Sequence, residues 1–348
     1  MDLFLKRFTT HNKLNSDLQL RFLQLLHRLL SNGYSLLEAL ETIKWNKELH
    51  QTAELITESF RDGMSVDEAF EKAAFHPSIT SYLYFVRGNG DLEGTISKCA
   101  AMYEHRMKYI KKFQQVSRYP FILFFIFFLL MYFIKWSVLP SFQDLFRTSS
   151  EASFTIFVSI LVIDILGSVL FILLIVTLIA IIIWNVTKKR LPIEKQLKVY
   201  ESIPIYRSIL KLQTSFHFAA HFGSLLKTGM SFREILQHMS KQTRLPIIAY
   251  YSQQMNTELS KGLHIASLLS VFTFLENQLT AIFHKNVDVH ALEKDLNIYS
   301  ELLMEEIQRK ITKNITLIQP VFFLILACFV IFIYITLMWP MFQLIKTI

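Results

Sequence analysis

Three long apolar stretches constrain this sequence more than any other feature. A helix needs about 20 predominantly apolar residues to cross the hydrocarbon core of a bilayer. Stretches of this kind begin at Pro120 and at Pro320, and another occupies residues 154–184. The sequence therefore predicts a polytopic membrane protein. The expected transmembrane helices are residues 120–140, 167–186 and 320–342.

The middle stretch is too long for one untilted crossing, and Asp164 and Gly167 divide it. We expect residues 141–166 to form an external loop and an interfacial helix, with the crossing after them. An acidic side chain in lipid is costly, so Asp164 is a candidate functional residue within the membrane. The alternative is that Asp164 lies on the water-facing side of the interfacial helix. The sequence favours this alternative, because enough apolar residues follow to span the bilayer.

Lysine and arginine positions indicate the orientation of the chain. Of the 36 basic residues, 33 fall in two long polar segments, 1–119 and 187–319. Basic residues collect on the cytoplasmic side of membrane proteins, so both segments are predicted to be cytosolic domains of a cell-membrane protein. Clusters beside the membrane that face anionic lipid explain the net charge of +8. No direct nucleic-acid binding is needed or expected.

Both polar segments have the apolar spacing of helices, with no strand-period signal. In the first, Gly33 suits the left-handed residue that ends a helix. Ser35 and Glu38 then have the spacing of a capping box, which starts the next helix. The segment is therefore predicted to begin with a helical hairpin. A DNA-binding helix-turn-helix is disfavoured, because the helix after Gly33 has at least as many acidic as basic residues and no basic recognition face.

The same pattern recurs about 200 residues later. HFGSLLKTGMSFREIL repeats LLHRLLSNGYSLLEAL, FRDGMSVDEAF pairs Gly63 with Gly262, and Pro120 pairs with Pro320. We infer an internal repeat, and hence an all-α fold with two homologous cytosolic helical-bundle domains. We expect each proline to end a basic helix and to open a span, with a fixed kink. The candidate structural or partner-facing positions of the repeat are Gly33, Ser35, Glu38, Gly63, Pro120, Gly229, Ser231, Glu234, Gly262 and Pro320.

These motifs resemble the platform proteins of type II secretion and type IV pilus systems. The family pattern continues with a G-E-x-S-G-x-L stretch, here Gly90-Asp91-Leu92-Glu93-Gly94-Thr95-Ile96, and with Tyr119-Pro120 at the first span. We add Gly90, Asp91 and Gly94 to the candidate positions. The second copy, Asn286–Leu292, has neither glycine, so its alignment stays open. The short N-terminal segment is most similar to the competence-pilus members of Gram-positive bacteria.

The resemblance implies a structural and mechanical function. A cytosolic hexameric ATPase would dock against the two helical domains, and the membrane helices would lift pilin-like subunits from the bilayer into a filament. A homo-oligomer is expected. The competence members serve DNA uptake. An oligomeric small-solute transporter or channel is the alternative, although it would need several polar groups at the membrane midplane.

Enzyme chemistry is not expected from this sequence. It contains no G-x-x-x-x-G-K-[ST] phosphate-binding loop, and no nucleophile–base constellation. His217 and His221 have a spacing that could chelate zinc on a helix, but no third ligand accompanies them. We interpret them, together with His284 and His290, as core or surface histidines. No catalytic residue, metal or cofactor is predicted.

Overall fold

The computed structural model of this 348-residue chain describes residues 14–85, 91–138, 182–188, 191–286 and 288–347, with a few short pieces between 140 and 180. All secondary-structure elements in these ranges are helical. The all-α fold class predicted from the hydrophobic periodicity is therefore confirmed for the described part of the chain.

The described residues of the first polar segment form five shorter helices followed by a long one. They are α1 (Ser16–Ser31), α2 (Leu36–Ile43), α3 (His50–Arg61), α4 (Val66–Lys72), α5 (Pro77–Leu83) and α6 (Leu92–Phe133). A π-helical turn, Ile134–Val138, continues α6. Positive-φ glycines follow α1 and α3, and capping boxes begin α2 and α4, so these boundaries are set by local sequence.

The second polar segment has a connecting helix and then a series in the same order. They are α7 (Ile193–Glu201), α8 (Pro204–Leu226), α9 (Phe232–Ser240), α10 (Pro246–Leu259), α11 (Ile265–Leu269), α12 (Asn277–Lys285) and α13 (Val289–Thr347). Helices α8–α13 follow one another as α1–α6 do. The positive-φ glycines fall at equivalent turns of the two series, which agrees with the repeat predicted from the sequence.

The described chain divides into two compact units. The first unit contains the described residues up to Ile110 together with Leu197–Ile311. The second contains the described residues of Lys111–Gln196 and of Thr312–Ile348. Both helix series thus contribute to the same unit, and helices α6 and α13 contribute residues to both units.

Two apolar clusters form the interior of the first unit. One is built mainly from α1–α6, but Leu212 and Phe216 of α8 and Leu303 of α13 complete it. The other is built from α8–α13, and Phe85, which follows α5, is buried in it. Each series therefore supplies side chains to the core of the other, and burial of these side chains stabilises the unit as a whole.

The helix boundaries predicted at Pro120 and Pro320 are wrong. Pro120 lies inside α6 and Pro320 inside α13, and each helix continues through its proline. A proline removes one backbone N–H from the helix, but the remaining groups still need partners. In apolar surroundings only the helix supplies these partners, so the helix is retained.

One helix of the described residues is long and apolar enough to cross a membrane, Val289–Cys328. It contains the start of the third predicted crossing. The first predicted crossing begins within α6 and continues into the π-helical turn. Most of the second, including Asp164 and Gly167, lies outside the described residues. The number of crossings stays a prediction.

Candidate functional site

The turn between α1 and α2 is formed by a glycine and a capping box. Gly33 has φ +84°, a conformation that costs other L-residues about 1–2 kcal/mol. The Ser35 N–H donates to Glu38 Oε2 at 2.9 Å, and the Glu38 N–H donates to Ser35 Oγ at 3.4 Å. These hydrogen bonds from Ser35 lower the pKa of the Glu38 carboxyl. The predicted capping box is confirmed.

The second series repeats this turn. Gly229 has φ +80°. The Ser231 N–H donates to Glu234 Oε2 at 2.8 Å, and the Glu234 N–H donates back to Ser231 Oγ at 3.4 Å. The hydrogen bonds from Ser231 lower the pKa of Glu234 as well. The two hairpin tips thus have the same backbone and the same cap, as the repeat predicted. A partner-facing role for them is not tested by this geometry.

Gly63 and Gly262 end α3 and α10 in the same left-handed conformation, with φ +79° and +89°. After Gly63 the Ser65 N–H donates to Glu68 Oε2 at 3.1 Å, an arrangement that the sequence analysis did not single out. The N-cap of α11 is His264, which makes no side-chain capping bond. The glycine turn is therefore common to both series, whereas the side-chain cap is not.

Asp91 and Gly94 form the N-terminal cap of the long helix α6. Asp91 Oδ1 accepts a hydrogen bond from the Gly94 N–H at 2.9 Å, which satisfies one of the free N–H groups of the first turn. A Cβ at position 94 would lie 2.7 Å from Asp91 Oδ2. Glycine at 94 therefore keeps space for the capping carboxylate. Gly90, the first glycine of this motif, lies outside the described residues.

The long helix of the second series begins with an equivalent aspartate. Asp288 Oδ2 accepts the Ala291 N–H at 3.1 Å, the same three-residue spacing as from Asp91 to Gly94. The cap is thus retained although both glycines of the motif are absent. The shared cap favours a pairing of Asp288 with Asp91, one position away from the pairing given by Asn286–Leu292.

A polar cluster around Asp91 joins the two series. Lys227, at the end of α8, lies 3.3 Å from Asp91 Oδ2, and Lys98 Nζ donates to Asn297 Oδ1 at 2.9 Å. Partial burial opposes ionisation of Asp91, but the Gly94 N–H and Lys227 outweigh it, so its pKa is lowered. Burial lowers the pKa of Lys98, and the charge of Glu301 partly offsets this.

A second ionic contact between the series was not predicted. Arg244, before α10, has its Nη1 atom 3.3 Å from Oδ2 of Asp67, whose side chain is only 2% exposed. Arg244 also pairs with Glu71 and donates to the Thr80 carbonyl at 3.4 Å. Nearby, Gln242 Nε2 donates to the Ser81 carbonyl at 3.1 Å. These groups hold α4 and α5 to the segment that precedes α10.

The four histidines interpreted as core or surface residues differ in their exposure. His221 is buried and stacks on Phe85 with ring centroids 3.6 Å apart, and His217 stacks on His221 at 5.7 Å. Burial lowers the pKa of His221 and lowers that of His217 to about 4, so both rings are neutral at pH 7. His284 and His290 are exposed. No group of three metal-ligating side chains occurs in the described ranges.

The comparison with known sequences agrees with this repeated architecture. The sequence model of the family described as "Type II secretion system (T2SS), protein F" matches residues 22–140 and again residues 218–340. These two stretches make up more than half of the chain. The chain belongs to the type II secretion system protein F family. The family resemblance stated from the hairpin and Gly-Asp motifs is confirmed, and so is the duplication on which it depended.

Relatives of this chain within the protein F family extend over nearly its whole length. ComG operon protein 2 of Bacillus subtilis is 25% identical over 320 residues, which cover 90% of this chain and 98% of the relative. The ComG operon protein 2 homolog of Halalkalibacterium halodurans is 25% identical over 328 residues, which cover 92% and 100%. This chain is therefore similar to these two proteins from end to end. Like the family, it is a membrane protein of secretion or pilus machinery.

Proposed function

We propose that this chain is the membrane platform protein of a type IV pilus-like assembly machine of the competence kind, which serves DNA uptake. The observation that carries the proposal is the double match of the protein F family, combined with full-length similarity to two ComG operon proteins. The function proposed is structural and mechanical, in keeping with the family.

The proposed topology has two homologous cytosolic domains and three transmembrane helices. The domains are residues 1–119 and 187–319, and the crossings are 120–140, 167–186 and 320–342. Side chains of the first crossing support this placement, since Phe121 and Phe125 are 72% and 71% exposed in the isolated chain. Large apolar side chains exposed in a row need an apolar environment such as lipid.

Helices α6 and α13 provide the proposed mechanical link. Each is continuous from its capping aspartate, Asp91 or Asp288, through the proline at the start of a proposed crossing. In the proposed mechanism a cytosolic hexameric ATPase moves the cytosolic domains. The helices pass this movement to the membrane segments, which lift pilin-like subunits into the filament. The platform works as a homo-oligomer.

Topology is tested by labelling single cysteines with a membrane-impermeant maleimide in a background without Cys99 and Cys328. Trp45→Cys and Val271→Cys report on the two cytosolic domains, because both positions are highly exposed. We expect both to react in inside-out vesicles and not in intact cells. Ser150→Cys, in the proposed external loop, is expected to react in intact cells. Reaction of positions 45 and 271 from opposite sides would overturn the proposal.

Function is tested by inserting a flexible Gly-Ser linker between Tyr119 and Pro120, which interrupts α6. We expect loss of DNA uptake and filament assembly with unchanged membrane insertion. The matched control places the same linker after Lys47, an exposed position between α2 and α3.

In a pull-down from membranes the tagged chain is expected to retain the ATPase and prepilins. Normal filament assembly with the linker between Tyr119 and Pro120 would contradict rigid coupling. A separate measurement, solute flux through the chain in proteoliposomes, would favour a channel.

A further inference from the structure

A cleft of about 350 Å³ opens in the first unit between the two helix series. Helices α5 and α6 line one side, and α8, α13 and the segment before α10 line the other. This volume is in the range of small-molecule sites in proteins. None of the functions proposed above uses the cleft.

The described residues that line the cleft are basic, apolar or uncharged polar, and none is acidic. The cations are Arg106 and Arg244, and His105 and His217 lie beside them. Arg244 forms ion pairs with Asp67 and Glu71. The Arg106 Nη2 atom instead lies 3.2 Å from His76 Nε2, and Arg106 forms no ion pair with a carboxylate of the described residues. Arg106 is therefore the cation available to an anionic guest.

Three of the lining residues contain buried polar atoms. Tyr109 Oη and the Nδ1 atoms of His105 and His217 have no hydrogen-bond partner within the described residues. Buried polar atoms nearly always have a partner in folded proteins. The residues that line the cleft thus have hydrogen-bonding capacity beyond what the described protein groups use.

Apolar side chains from both sides also line the cleft, including Met102, Phe216, Leu245, Met304 and Ile307. An inorganic anion alone would leave these side chains uncovered, and a purely apolar guest would desolvate Arg106 without a partner. A metal cation is disfavoured by the positive lining. The lining therefore selects a molecule that has both an anionic group and an apolar part.

We propose that this cleft binds a phosphate monoester or diester with an apolar or aromatic body. The phosphate lies at Arg106, where its several oxygens accept hydrogen bonds from the guanidinium and from Tyr109. The body lies against Phe216 and Met304. The same chemistry is present in soluble organic phosphates and in the headgroup region of an anionic lipid, and the experiment separates these two sources.

The test uses the full-length chain purified in a neutral detergent, with phenyl phosphate as probe in isothermal titration calorimetry. We expect phenyl phosphate to bind, and inorganic phosphate and phenol each to bind at least tenfold more weakly. Arg106→Gln is expected to weaken binding of phenyl phosphate about tenfold or more, the usual effect of losing a charge-assisted hydrogen bond. Arg233→Gln is the matched control, because it removes the same charge at an exposed position of α9.

A second variant, Met304→Trp, places a larger side chain among the apolar residues of the cleft and leaves Arg106 unchanged. It is also expected to weaken binding of phenyl phosphate. Thermal unfolding of each variant shows that it is folded. Repeating the titration in nanodiscs with and without phosphatidylglycerol identifies the source. Competition by the lipid assigns the site to a headgroup, and unchanged binding assigns it to a soluble phosphate.

Absence of phenyl phosphate binding to the parent chain at about 10 mM, well above a weak dissociation constant of about 1 mM, overturns the proposal. Equal affinities of the parent chain and of folded Arg106→Gln also overturn it. Either result leaves the platform function intact, because that function is tested by topology and DNA uptake rather than by ligand binding.

Discussion

The ion pair between Arg244 and Asp67 provides a quantitative test of how the two helix series are held together. The two groups lie 3.3 Å apart, and their side chains are 22% and 2% exposed. Arg244→Gln removes the cation, so the buried Asp67 carboxylate loses its ion-pair partner and keeps the hydrogen bond from the Ser65 hydroxyl. Breaking a buried pair in this way costs about 3–5 kcal/mol. We expect about 3 kcal/mol, because the partial exposure of Arg244 lets water replace part of the interaction.

Thermal unfolding of the purified chain, followed by tryptophan fluorescence, measures this effect. About 3 kcal/mol corresponds to a decrease in Tm of roughly 6–12 °C for a unit of 150–250 residues. Glu71 contributes little to the expected change, because its side chain is 61% exposed and exposed pairs are weak. Arg233→Gln, which removes an exposed arginine of α9, is expected to change Tm by less than about 2 °C.

A double variant distinguishes loss of the pair from general damage. Asp67→Asn combined with Arg244→Gln removes both charges, and it is expected to restore more than half of the lost Tm, since removing both partners is far less costly than removing one. If Arg244→Gln leaves Tm unchanged, or if the double variant is no more stable than the single one, the ion pair does not stabilise the contact between the series.

Three further predictions concern the caps and the buried histidines. Gly94→Ala is expected to displace the Asp91 carboxylate and to destabilise the chain by about 1 kcal/mol, and adding Asp91→Ala should then have little further effect on Tm. Gly33→Ala is expected to cost about 1 kcal/mol because of the positive φ, measured by denaturant unfolding. The pKa of His217 is lowered by burial from 6.5 to about 4, so its neutral form stabilises the fold above pH 6.5. That stability, up to about 3 kcal/mol, is expected to be lost as the pH falls from 6.5 towards 4, and His217→Gln should flatten this part of the pH profile.

Features determined by neighbouring residues were predictable from the sequence. The Gly33 turn and the Ser35–Glu38 box depend on contacts within five positions, so their residue types and spacing identified them. The same holds for Gly229 and its cap. Duplication strengthened the prediction, because each motif occurs twice in the same order.

Features determined by distant residues were not predictable. Arg244 and Asp67 are separated by 177 positions, and neither has a local pattern that indicates its partner. The boundaries at Pro120 and Pro320 were wrong for a related reason. The sequence shows a residue that weakens a helix, but whether the helix continues depends on the surroundings of the backbone, which a single residue does not indicate.

The exchange of side chains between the two cores has a consequence for synthesis of the chain. When the ribosome has made the first 110 residues, Leu212, Phe216 and Leu303, which complete the first core, do not yet exist. Phe85 likewise can be buried only after α8–α13 have been made. Domains usually fold in order as they emerge, but here the earlier half stays unfinished while the residues between the two helix series are made. Chaperones that shield apolar surface are therefore most needed during that interval.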